Sequence, residues 1–120
     1  VIALVRTGVP ADSLDRIAKQ LRVPVAEVQA LIGIPPATAA RKRASKGTLK
    51  PELSDRLVRI ANVFAIARGV LESEERAARW LKEPNRALRG GVPLRRLDTE
   101  IGAREVEQVL YRLEHGRCPG

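Results

Sequence analysis

His115 and Cys118 stand three residues apart near the end of the chain, a spacing at which a base could serve a nucleophile. A thiol becomes a working nucleophile when a neighbour lowers its pKa or takes its proton, and that neighbour needs a third group to orient it. No such group is near; Gly116 and Pro119 flank the pair and fix nothing in place. Two ligands are also too few for a closed zinc site. No glycine-rich phosphate loop follows a strand, because no segment alternates with the period of a strand. The residues predict no catalytic set, no metal site and no cofactor, so an enzyme ranks far behind a binding protein.

Recognition of charge is better provided for. The formal net charge is +8. Residues 1–70 hold 12 Lys and Arg against 5 Asp and Glu, whereas residues 71–120 hold 10 against 9. A basic first part suits a polyanion such as DNA, and a near-neutral second part suits a protein. The cations are densest at Arg41, Lys42, Arg43, Lys46 and Lys50. If residues 37–45 form a recognition helix, its early side chains Ala37, Thr38, Arg41 and Lys42 meet base edges, and Arg43, Lys46 and Lys50 reach phosphates. The small Ala37, Ala39 and Ala40 leave little direct readout, so modest sequence specificity is expected. A solvated helix end, where cations complement the dipole, is the simpler alternative.

The elements that must hold these side chains read as helices throughout. Pro10 opens a helix with Leu14, Ile17, Ala18 and Leu21 on its apolar side. Val28, Leu31 and Ile32 share a face of the next, over residues 25–32. Gly33 then falls where a helix-turn-helix needs a residue tolerant of positive φ. Pro35 and Pro36 pre-set the first turn of the third helix, and Gly47 closes it. The longest helix opens at Lys50-Pro51, carries Leu53, Leu57, Ile60, Phe64 and Ala67, and is expected to end at Gly69. Ser73 is placed to cap the following helix, with Glu74 and Glu75 in its first turn. That helix carries Trp80, the only tryptophan, which reads as a core residue. Pro84 stops it, Asn85 reads as a turn residue or cap, and Gly90-Gly91 break the chain again. Pro93 starts a further turn, and a last helix sets Val106, Val109, Leu110 and Leu113 on one face before Gly116. The expectation is an all-α chain of about seven helices in two domains, residues 1–70 and 71–120.

Lone Cys118 has no partner for an internal bridge, which suits a reducing compartment, and a cytoplasmic location is expected. No apolar run approaches the roughly 20 residues of a membrane helix, and no signal-peptide pattern is visible. The chain begins at Val1 rather than Met, so residues before it are expected to be missing from this numbering.

One order of residues is more specific than any of these features. It runs Trp80-Leu81, Pro84-Asn85, Ala87-Leu88, then Pro93, Leu97, Thr99, Gly102, then Val106, Leu110, Arg112 and Gly116. Over about forty residues this resembles the toxin-binding domain of Xre/MbcA/ParS-type antitoxins, the partners of RES-domain toxins. Residues 25–45 are similar, more loosely, to the Xre-like helix-turn-helix that precedes it. The resemblance implies an antitoxin that binds and neutralises an NAD-consuming RES-domain toxin. It also implies repression of its own operon through operator DNA, as a homodimer within a toxin–antitoxin hetero-oligomer. In that family the C-terminal end lies against the toxin and blocks its cleft. The expected toxin contacts are therefore Asn85, His115, Gly116, Arg117, Cys118, Pro119 and Gly120. Expected at DNA are Thr38, Arg41, Lys42, Arg43 and Lys46. The competing reading is a stand-alone helix-turn-helix regulator whose C-terminal unit only dimerises it.

Overall fold

A computed structural model describes residues 8–116; the apolar opening over residues 1–7 and the tail over 117–120 lie outside the described residues. Within them are α1 (Ser13–Leu21), α2 (Val25–Ile32), α3 (Pro36–Ala44), α4 (Pro51–Leu71), α5 (Glu74–Lys82) and α6 (Glu100–His115). Two short 3-10 helices, Arg86–Leu88 and Pro93–Asp98, connect α5 to α6. The chain is all-α, with two isolated β-bridges among the described residues. It divides into two compact units between Val58 and Arg59, inside α4.

In the first unit α1 buries Leu14, Ile17, Ala18 and Leu21, the face its apolar spacing predicts. The helix begins at Ser13 rather than at Pro10. Pro10 instead bridges Thr48, and its carbonyl accepts the Ser13 N–H at 3.0 Å, closing a tight turn ahead of the helix. Two extended stretches are thereby joined: Leu49 N donates to Val9 O (2.8 Å) and Ala11 N to Gly47 O (3.0 Å). Ser54, on α4 and fully buried, ties them to the helix. Its hydroxyl accepts the Val9 N–H at 3.0 Å and donates to the Leu49 carbonyl at 3.2 Å. A buried amide with no strand to pair with is satisfied by one short side chain.

In the second unit Ser73 caps α5 by accepting the Arg76 N–H at 3.1 Å. The buried face of α5 is Ala77, Ala78 and Leu81. Trp80 lies off that face and is half-buried, not a core residue. The turn of about 100° per residue carries it past the stripe that its neighbours define. Gly69 also fails to end α4, which continues to Leu71 and turns at Glu72, whose φ is 58°. An exposed glycine in a helix costs only about 1 kcal/mol. The burial of Val70 beside it offsets that and keeps the last turn wound. Pro93–Asp98 packs against both α5 and α6, burying Pro93, Leu94 and Leu97. α6 buries Ala103, Val106, Val109 and Leu110, with Leu113 half-buried at the margin.

Candidate functional site

The geometry of the basic unit is set at the turn between α2 and α3. Gly33 caps α2 at φ 79°, donating to the carbonyls of Ala30 (3.2 Å) and Gln29 (2.9 Å), while Ile34 N donates to Gln29 O at 3.0 Å. This is the Schellman closure, with buried Ile34 as its apolar contact. Only glycine adopts that conformation at no steric cost. A side chain there would also press on the Arg56 guanidinium, 3.2 Å from the position of a Cβ. Arg56 donates to the Ile32 carbonyl at 2.9 Å, so α4 supplies a cation to the negative end of α2. Extended Pro35 then launches α3 with Pro36 at its first position.

α3 buries only Ala39 and presents Pro36, Ala37, Ala40, Arg41 and Ala44 to solvent. The five residues expected at DNA are thus not equivalent. Arg41 and Lys46 are exposed, the latter at φ 55° in the turn after the helix. Thr38 and Lys42 are half-buried and line a basic concavity of about 440 Å³ with Gly33, Lys50 and Arg56. Arg43 is already engaged: its guanidinium lies 2.8 Å from the Asp15 carboxylate and ties α3 to α1.

The second unit is organised around the connection from α5 to α6. Glu83 is extended ahead of Pro84, as a residue before proline prefers. Asn85 then closes the loop that runs from it to Gly91. Its side-chain oxygen accepts the Ala87 N–H at 2.9 Å. Its carbonyl accepts from Leu88 (3.0 Å) and Gly90 (2.9 Å), and its N–H donates to Gly91 O at 2.9 Å. The Asn85 side chain is therefore half-buried and holds the loop, leaving only its amide hydrogens for a partner. Arg96, which sequence reasoning passed over, fastens this loop to α6. It donates to the Leu88 carbonyl at 2.8 Å and pairs with Glu105 at 3.1 Å.

α6 starts with Thr99, whose hydroxyl accepts the Gly102 N–H at 3.0 Å. A Cβ at Gly102 would run into the Arg96 carbonyl oxygen, so this helix start approaches the preceding 3-10 helix closely only because position 102 is glycine. The Thr99–Gly102 spacing in the motif thus has a packing reason. At the far end His115 is exposed, its ring stacked on Tyr111 at 3.9 Å and its Nδ1 2.9 Å from the Tyr111 carbonyl. Gly116 follows as the C-cap; of the expected tail contacts, Arg117, Cys118, Pro119 and Gly120 lie outside the described residues. Sequence reasoning also missed Ile66 and Tyr111, large side chains that are 39% and 62% exposed. The signal available was an aromatic residue lying off the apolar stripe of α6. No group of three or more metal-ligating side chains occurs among the described residues, and no helix there is long and apolar enough to cross a membrane.

A short α2, a glycine turn and an exposed basic α3 define the helix-turn-helix class, whose second helix enters the major groove. Comparison with known families places both units more narrowly. Residues 1–62 match the antitoxin Xre-like helix-turn-helix domain, and residues 67–116 match the antitoxin Xre/MbcA/ParS C-terminal toxin-binding domain. An antitoxin Xre of Yersinia enterocolitica is 33% identical over 93% of this chain and 76% of its own length. One of Photorhabdus laumondii is 30% identical over 95% and 78%. A Sphingobium protein named Prs ADP-ribosylating antitoxin is 27% identical over 96% and 78%. The chain belongs to the Xre/MbcA/ParS antitoxin family. It is an antitoxin that joins a helix-turn-helix unit to a toxin-binding unit.

Proposed function

We propose that this antitoxin neutralises a RES-domain toxin that consumes NAD, and that it represses its own operon through α3. The observation that carries the reading is the order of the two family matches, which together cover nearly the whole chain. The name of the Sphingobium relative adds support, since ADP-ribosylation draws its ADP-ribose from NAD. The toxin docks on α6 and on the loop that Asn85 closes. His115, Gly116, Arg117, Cys118, Pro119 and Gly120 enter its cleft, where Arg117 pairs with acidic groups and displaces NAD. Operator DNA is met by Thr38, Arg41 and Lys42 at base edges and by Lys46 at phosphates. Arg43 joins them only where it releases Asp15. The work is done in the cytoplasm, and the chain itself turns nothing over.

The test is co-expression with the product of the neighbouring gene. An antitoxin copurifies with that protein and restores growth to cells that it otherwise arrests. A stand-alone regulator copurifies with nothing and protects no cell. Intracellular NAD, measured in the same cultures, identifies the toxin's chemistry; arrest with unchanged NAD would remove the RES assignment and leave the antitoxin.

A further inference from the structure

The concavity between α3 and the start of α4 holds more than cations. Thr38 and Lys42 come to it from α3, Lys50 from the residue ahead of α4, and Glu52 and Arg56 from the first two turns of α4. Pro35, exposed, and Leu53, half-buried, add apolar surface. Its volume of about 440 Å³ is that of a small-molecule site, where apolar walls are joined by a few placed polar groups.

Glu52 decides what fits. It stands four residues before Arg56 on α4, the spacing at which a helix forms an ion pair. Arg56 instead gives an N–H to the Ile32 carbonyl at 2.9 Å, and Glu52 has no ion-pair partner among the described residues. Lys42 and Lys50 have none there either. The lining thus combines three cations with one uncommitted carboxylate. A DNA strand offers it phosphates, which the carboxylate repels, and deoxyribose, which has no hydroxyl to donate to it. A ribonucleoside phosphate uses every group. Its phosphate takes Lys42, Lys50 and the Thr38 hydroxyl, and the Glu52 carboxylate accepts from the ribose hydroxyls. Its base lies against Pro35 and Leu53. Carboxylates recognise ribose in the same way in dinucleotide-binding folds.

We propose that this concavity binds a free ribonucleoside phosphate, and that the bound nucleotide competes with operator DNA for Thr38 and Lys42. The competition rests on the DNA reading given above; the binding site does not.

Calorimetric titration of the full chain, without DNA, tests the site. The probes are AMP, GMP, CMP and UMP. The one that binds most tightly should exceed its own nucleoside, its deoxyribose analogue and inorganic phosphate by about tenfold or more. Glu52→Ala should abolish the preference over the deoxyribose analogue. Lys50→Ala should weaken the nucleotide about tenfold and leave the nucleoside unchanged. Both side chains are exposed, and unchanged circular dichroism in each variant checks the fold. No binding by any of the four nucleotides would overturn the proposal. So would equal binding of inorganic phosphate or of the deoxyribose form, or a ribose preference that survives Glu52→Ala. Operator titrations with and without saturating nucleotide then test the competition. The nucleotide should raise the apparent Kd for operator about tenfold or more, and an unchanged Kd would overturn that half of the proposal. Failure of the nucleotide-free protein to hold operator would instead sink the DNA reading.

Discussion

The Arg43 guanidinium sits 2.8 Å from the Asp15 carboxylate, so a cation in the recognition helix is held by α1 rather than offered to solvent. The two side chains are 30% and 51% exposed, which limits the pair to about 0.5 kcal/mol or less of stability. Its larger effect is on which cations remain for DNA. Replacing Lys46 by alanine should reduce the slope of log affinity against log salt by about one contact's worth. Arg43→Ala should leave that slope nearly unchanged, and Asp15→Ala should steepen it. Operator binding measured across a salt series separates these outcomes; equal slopes for Arg43→Ala and Lys46→Ala would mean that Arg43 leaves Asp15 on binding.

Arg41 is the one long polar side chain on α3 that is exposed rather than half-buried. Its replacement by alanine should cost roughly 1–3 kcal/mol on the operator and much less on random DNA. A loss of equal size on both would assign Arg41 to a phosphate. Gel-shift titrations on the two DNAs make the comparison.

Gly102→Ala should destabilise the second unit by about 1–3 kcal/mol, because a methyl group there meets the Arg96 carbonyl. Thr99→Ala, which removes only the cap, should cost about 1 kcal/mol. Urea unfolding ranks the two. A cost for Gly102→Ala no larger than that for Thr99→Ala would show that the helix start can move away from the 3-10 helix.

Ser54→Ala should cost about 1–3 kcal/mol, since it strands the buried Val9 N–H. Exchange protection of that amide is the direct readout. Its persistence in the variant would mean that another acceptor has taken the place of the hydroxyl.

Removing residues 117–120 should leave a toxin complex that still forms, while toxin activity partly returns. The docked body should contribute most of the apolar burial, because a short tail loses conformational freedom on binding. Arg117→Glu should impair neutralisation more than Arg117→Ala if the cleft is acidic; the reverse order would indicate a phosphate-binding cleft. Growth inhibition and pull-down, run in parallel on each variant, report the two effects separately. Full protection by the truncated chain would place inhibition in the docked body alone.

The sequence by itself determined whatever depends on neighbours within a turn or two. The faces of α1 and α6, the Ser73 cap and the glycine closure at Gly33 all follow from i, i+3 and i, i+4 spacing and from local backbone preference. The family could be read for the same reason, since its motif is a run of caps, breaks and apolar positions over forty residues. Only the tertiary structure decided what lies across space. Arg43 and Asp15 are 28 residues apart, and no local rule chooses Asp15 as the carboxylate that takes that arginine out of the basic set. Trp80 looked like core because it is large and apolar, yet the pitch of α5 turned it to the margin. Gly69 looked like a stop, yet burial of Val70 kept the helix going. Gly102 stands in the motif with no local reason for a glycine, and the Arg96 carbonyl beneath it supplies one. For Arg43 and Gly102 the deciding contact is with another element, and the spacing of residues along a chain does not encode which element that will be.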